Sequence, residues 1–370
     1  MSSILITIVA IPVLLWLIAR FFLSGKSHAA FDAPAPQLTG KRTEPSTEHN
    51  GVVQFMQAAQ ANGPKLKRDE MLAAMRKQMN AMGENVPFEG EIKSVQIDGL
   101  DAEWVVAPGA DPDQRLLYLH GGAFTMGSPL SHRAITTEYA RRLGVAVLAI
   151  DYRLMPEHPR RAGIEDCQAA YRWILENGPD GPAAVKNLLV SGDSAGGNLT
   201  LMITAWARDE GLRAADAAIA LSPATDSSFT SPTLKANLET DVMLGPLFGQ
   251  AQAKTPRWIM AWSSFISNRI SPASPLVSPL QGDLSGLPPT LLHASTAEML
   301  EGDAVRYYNK AVSQGSPVEL GMWPFMLHVW HAFVLQMPEA REAFDHIEEF
   351  ARRCVPSLNK VSPALEGEPV

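Results

Sequence analysis

LLVSGDSAGGNLTLM, Leu188–Met202, changes character at its centre. Leu188, Leu189 and Val190 form a short apolar run of the kind carried by a strand covered on both faces. A helical pattern begins at Ala195. Between them stands Gly192-Asp193-Ser194-Ala195-Gly196, a G-x-S-x-G motif. A serine hydroxyl is a poor nucleophile unless it is held out of the fold beside a base. A sharp strand-to-helix turn holds it so, and glycines on either side keep side chains from colliding across the turn. The serine also lands at a helix N-terminus, where outward-pointing N–H groups favour negative charge. Taken alone the motif reads equally as a softened turn with a capping serine. The strand before it and the helix after it give it weight.

A second stretch answers the first. YLHGGAFTMGS, Tyr118–Ser128, follows the apolar Leu116-Leu117 and places two glycines in succession. Paired glycines loosen a fold unless something must approach the backbone closely. Acyl transfer builds an oxyanion that needs backbone donors at about 3 Å, each worth roughly 10²–10³ in rate. Gly121 and Gly122 are the expected donors from this loop and Ala195 the third, from the helix start. His120 is expected to brace the loop. The base and its orienting acid should follow the serine in the order acid, then histidine. Of the late histidines, His346 lies in a helical pattern and His293 near a strand end, both reading as packing or surface. His328, in MWPFMLHVWHAF, sits between a strand-like run and a helix and is the favoured base, with His331 its rival. In LLHASTAEMLEGDAVRYY, Glu298 is the first carboxylate after the strand and is the favoured acid. Asp303 is the second choice. Glu301 and Asp303 read as the opening turn of the next helix, where acidic residues suit the dipole.

The rest of the chain alternates strand and helix patterns, which implies a mostly parallel sheet with helices on both faces. EIKSVQI and AEWVVAP read as paired edge strands, and VAVLAI as a doubly buried one. With 370 residues, 46% hydrophobic and 19% charged, the chain can bury a large core. A net charge of −8 and the lack of a basic, aromatic-laced run exclude nucleic acid as a partner. The two cysteines, Cys167 and Cys354, give neither metal spacing nor a disulfide framework, so neither metal nor cofactor is expected. Residues 1–23 include ILITIVAIPVLLWLIARFFL, read as a transmembrane anchor. A signal peptide cleaved near SHAA, giving a secreted or periplasmic protein, is the alternative, and the side of the membrane stays open. Residues 24–50 read as a flexible linker. Residues 51–90 read as cap helices and 91–354 as the catalytic domain, with a helical insertion at about 223–287. Residues 355–370 read as a loose tail.

HGGAF, DYRLMPEHPRRAGIEDCQAAYRWI, VSGDSAGGNL, LSPATD, SPLQGDLSGLPPTLLHAS and HVWHAF together resemble the bacterial hormone-sensitive-lipase group (family IV) of α/β-hydrolases, over about residues 116–331. The resemblance implies an α/β-hydrolase fold, with an eight-stranded type of sheet and a cap. It implies esterase chemistry on carboxylic esters, with Ser194 as nucleophile, His328 as base, and Gly121, Gly122 and Ala195 as oxyanion donors. Two departures stand out. Ala123 replaces the third glycine usual after HGG, which bears on which alcohols fit. Glu298-Met299-Leu300 stands where Asp-Pro-Leu is common. The apolar insertion, with Phe124 of the oxyanion loop, suggests a pocket for small to medium apolar esters lined by Phe124, Phe229, Leu244 and Trp262. A lactone hydrolase or an amidase resembling arylacetamide deacetylase is the alternative function. A ligand-binding protein on an inactive hydrolase scaffold is the reading from another class. The oligomeric state, a homodimer included, is left open.

Overall fold

The computed structural model describes residues 2–34, 37–62, 67–249 and 254–359. Eight strands build one sheet: β1 (Glu91–Ile97), β2 (Leu100–Val106), β3 (Asp111–Leu119), β4 (Val145–Ile150), β5 (Asn187–Asp193), β6 (Ala217–Leu221), β7 (Thr290–Ser295) and β8 (Val318–Trp323). Their spatial order is β1-β2-β4-β3-β5-β6-β7-β8. β2 runs antiparallel to both β1 and β4, and every other pairing is parallel. The expected edge pair is therefore β1–β2. All six residues of β4 are buried, as its unbroken apolar run requires of a strand covered on both faces.

The longer helices among the described residues are α1 (Ser2–Ile18), α2 (Thr47–Asn62), α3 (Arg68–Gly83), α4 (Arg133–Leu143), α5 (Arg160–Glu176), α6 (Ala195–Asp209), α7 (Arg257–Asn268), α8 (Glu301–Ser313) and α9 (Pro338–Cys354). The sheet separates two cores. Ile135 and Tyr139 of α4 join Phe344 and Phe350 of α9 over one face. Ile164 and Tyr171 of α5 join Leu199 and Ile203 of α6 over the other. Each aliphatic side chain fully buried there stabilises the fold by roughly 1.5–3 kcal/mol. β3, β5, β6, β7 and β8 run parallel, so the loops that follow them open at one edge of the sheet. This edge is where the candidate residues meet.

Three expectations outside this core need correction. Of residues 24–50, expected to be a flexible linker, the described ones (24–34 and 37–50) are held along the body. Arg306 pairs with Asp32, Asn309 donates to the carbonyls of Phe31 and Ala33, and Leu38 bridges to Met322 beside β8. Farther on, Arg42 pairs with Glu342 and Ser46 bonds Glu339. The start of the expected loose tail is packed, with Val355 and Leu358 buried, while residues 360–370 lie outside the described residues. The transmembrane anchor is the third. α1 has 17 residues and a proline at position 12. At 1.5 Å per residue it reaches about 25 Å, short of a hydrocarbon core of about 30 Å. A π turn, Ala19–Leu23, closes it, and Ala19 and Leu23 are buried against Ala261 of α7. Among the described residues no helix is long and apolar enough to cross a membrane.

Candidate active site

β5 ends at Asp193 and α6 begins at Ala195, leaving Ser194 alone in the turn with φ 52° and ψ −113°. A positive φ is costly for any residue with a side chain, and such strain recurs where geometry matters to chemistry. The flanking glycines are required by space. A Cβ on Gly192 would lie 2.4 Å from the Leu119 carbonyl oxygen, and one on Gly196 only 1.8 Å from it. The turn therefore closes against the end of β3, and Ser194 N–H is fixed by the Leu221 carbonyl at the end of β6.

His328 follows β8 in a loop turned by Val329 at φ 51°. Its Nε2 lies 2.9 Å from Ser194 Oγ, and its Nδ1 lies 2.7 Å from Glu298 Oε2. A carboxylate oxygen only accepts, so Nδ1 carries the proton and Nε2 presents its lone pair to the serine hydroxyl. Glu298 is wholly buried. Its Oε1 accepts from the Ser295 N–H at 2.6 Å and from the Ser222 hydroxyl at 3.1 Å. Ser222 in turn accepts the Val329 N–H, so one hydroxyl ties Glu298 to the loop that carries His328. Burial pushes the Glu298 carboxyl up, opposed chiefly by its bond to His328. Burial works against a charged His328 too, but Glu298 outweighs it and raises the imidazole above 6.5.

The rivals are placed elsewhere. Asp303 accepts the N–H groups of Thr225 and Asp226, and burial raises it to about 7. His331 bonds His293, whose other nitrogen meets the half-buried His346, in a stack of imidazoles. Burial keeps His331 neutral, down at about 3.

The loop after β3 departs from expectation in one respect. Gly121 N–H is not free, because it donates to Asp193 Oδ1 at 3.0 Å. Among the described residues no acceptor takes the N–H of Gly122, Ala123 or Ala195. Gly122 at φ 114° and Ala123 at φ 53° turn the loop. The two glycines thus serve different needs. Gly121 has no room for a Cβ, which would sit 2.1 Å from Asp193 Oδ2, and Gly122 needs its left-handed backbone. His120 braces the loop as expected, stacked on Tyr152 with ring centres 4.2 Å apart. The parts played by Asp193 and Ser222 and the free N–H of Ala123 were missed from sequence. The only local signal was that an ionisable residue fills the variable place before the serine.

Of the four residues named for a pocket, Phe124, Phe229 and Leu244 are half-buried. Arg160 stacks over the Phe124 ring at 3.7 Å. Trp262 is occupied elsewhere: its indole N–H donates to the Leu15 carbonyl of α1, and its ring packs beside Ala19 and Leu23.

A single sheet whose parallel strands deliver a strained serine, a histidine and a carboxylate to one edge defines the hydrolase class of α/β proteins. The family model described as "alpha/beta hydrolase fold" matches residues 116–332. An acetyl-hydrolase of Streptomyces hygroscopicus is 36% identical over 259 residues, 70% of this chain and 81% of that protein. A carboxylesterase/phospholipase of Mycobacterium tuberculosis, LipF, is 32% identical over 273 residues, 72% of this chain and 70% of its own. A crystal structure of an esterase from the bacterial hormone-sensitive lipase family superposes with a TM-score of 0.72 at 31% identity, covering 85% of this chain and all of that one. This chain belongs to the α/β-hydrolase fold family, within its hormone-sensitive-lipase group.

Proposed function

We propose that the chain is a serine carboxylic-ester hydrolase acting on small to medium apolar esters through an acyl-enzyme. One observation carries this: Glu298, His328 and Ser194 are joined at 2.7 and 2.9 Å beside three unbonded N–H groups. His328 takes the Ser194 proton as the hydroxyl attacks the ester carbonyl. Glu298 holds the tautomer and stabilises the imidazolium. The N–H groups of Gly122, Ala123 and Ala195 receive the oxyanion. His328 then hands its proton to the departing alcohol, and water releases the acid by the same steps. Relatives described as an acetyl-hydrolase and a carboxylesterase support the reading. A p-nitrophenyl ester series tests it, with short and medium acyl chains expected to turn over faster than long ones. A preference for long chains would rule out the small pocket.

We also propose that the protein works at a membrane surface, with α1 lying along the bilayer. Ile11, Leu14, Trp16, Phe21, Phe22 and, on α7, Ile266 are exposed, with Arg20 and Lys26 close by in sequence. Apolar rings edged by cations suit anionic headgroups. The full chain should float with phosphatidylglycerol vesicles, and Phe21→Glu/Phe22→Glu should stay at the bottom of the gradient while hydrolysing p-nitrophenyl butyrate normally. Equal flotation of both proteins would refute this.

A further inference from the structure

Asp193 lies behind the reacting serine, and the triad has no contact with its carboxylate. Its surroundings are nevertheless built. The residue is 3% exposed, and each group that reaches its carboxylate is a donor or a cation. Oδ1 accepts the Tyr118 hydroxyl at 2.6 Å and the Gly121 N–H at 3.0 Å. Oδ2 faces His132 Nε2 at 3.4 Å. The other nitrogen of His132, Nδ1, meets the Ser128 carbonyl at 3.2 Å and the Ser131 hydroxyl oxygen at 2.9 Å. The Ser131 proton is itself given to Ser128 O, so that oxygen accepts from the ring. With the Ser131 proton on Ser128 O, both nitrogens of His132 face acceptors, an arrangement that the doubly protonated imidazolium satisfies. An unpaired buried charge is costly, so each partner holds the other in its ionised form.

This pair joins two elements that must stay in register. Asp193 is the last residue of β5, directly before Ser194, while Gly121 opens the loop whose next two N–H groups are free. Resting on the acyl-transfer reading, we infer that the Asp193–His132 ion pair is the positioning device that locks the oxyanion loop to the nucleophile turn. Through Gly121 N–H, the carboxylate fixes where Gly122 and Ala123 point relative to Ser194. A shift of about 1 Å there costs on the order of a hundredfold in rate. Gly121 is glycine because the carboxylate occupies the place of its Cβ.

The pair also makes the oxyanion loop sensitive to alkali. The groups facing His132 are Asp193 from β5, Tyr118 from β3, His120 from the loop and, behind Tyr118, Tyr139 from α4. Tyr118 and Tyr139 are pushed up by burial, and burial holds His120 down at about 3, so these three stay uncharged near neutrality. Burial opposes the charge on His132, but Asp193 outweighs it and raises the imidazole above 6.5. The contribution of the pair is complete below 6.5 and is lost as pH rises through the raised value in the folded protein.

The test uses Asp193→Asn and His132→Gln in the full chain. Asn keeps an acceptor for Gly121 but removes the charge. Each variant should lower kcat on p-nitrophenyl butyrate about a hundredfold with KM little changed. Affinity for a trifluoromethyl ketone, which forms an oxyanion on the serine, should fall in step with kcat/KM. The double variant should be no slower than the slower single one, as for two residues acting as a unit. Should either variant fail to fold, imidazole NMR of the unaltered protein must find both His132 nitrogens protonated at neutral pH. A neutral His132, an unchanged ketone affinity or additive losses would each overturn the inference. Because Ser194→Ala tests the hydrolase reading separately, an inactive Ser194→Ala beside a fully active Asp193→Asn would sink only the positioning role.

Discussion

Ser194→Ala should lower kcat toward p-nitrophenyl butyrate by about 10⁶-fold, the loss seen when a triad serine is removed. Neither Ser222 nor Ser191 can take over. Ser222 is committed between Glu298 and the Val329 N–H, and Ser191 is bonded to the Tyr139 hydroxyl at 2.8 Å on the far side of the strand. Fluorophosphonate labelling should vanish together with turnover. The residual rate should still exceed that in water by about 10³–10⁴, because substrate binding and the oxyanion N–H groups remain. The fold should survive unchanged, since alanine meets the same positive φ as serine. Retention of most of the hydrolysis would mean that Ser194 is a helix cap and that the chemistry lies elsewhere. A binding protein on the same scaffold would also show no loss, having no turnover to lose, so the labelling experiment separates the two.

The sheet and the meeting of Ser194, His328 and Glu298 were legible because their signals are local. A doubly buried strand writes itself as an apolar run, as VAVLAI does, and G-x-S-x-G spells out a turn that only glycines can make. Glu298 and His328 could be chosen because a catalytic side chain must sit in the loop after a parallel strand, and each is placed just after an apolar run. What escaped notice depends on partners far away in sequence. Nothing in HGG says that its first N–H will be taken by a carboxylate 72 residues later. Nothing near Asp32 announces Arg306, so residues 24–50 looked like a tether. Trp262 looked like pocket lining because its composition suited one, whereas its indole found the backbone of α1. The anchor was read from hydropathy over 20 positions. The α-helix stops at Ile18, and the π turn that follows it is packed on α7.

Glu298→Gln should lower kcat about 10⁴-fold, as the amide substitution of an orienting carboxylate does in serine hydrolases of other folds. The surroundings of Glu298 say why. Two donors, the Ser295 N–H and the Ser222 hydroxyl, fix an acceptor oxygen at the Oε1 position. The glutamine amide must therefore turn its oxygen that way and its NH2 toward His328. An NH2 cannot accept from Nδ1–H, so the ring takes the other tautomer, with its proton on Nε2 facing Ser194. That nitrogen then has no lone pair with which to receive the serine proton. The pH profile should change as well. Activity needs a neutral His328, so kcat/KM rises with pH through a value that Glu298 holds above 6.5. Without the carboxylate, burial is opposed only by the charges of Asp241 and Asp193, and the acid limb should move to lower pH. Glu298→Ala, which imposes no tautomer, should be less impaired than Glu298→Gln. Asp303→Asn should keep its pH profile, because Asp303 holds the Thr225 and Asp226 N–H groups and meets neither ring nitrogen of His328. A near-normal Glu298→Gln beside an inactive Asp303→Asn would move the acid to Asp303, and the 2.7 Å contact between Glu298 and His328 would then be a packing detail.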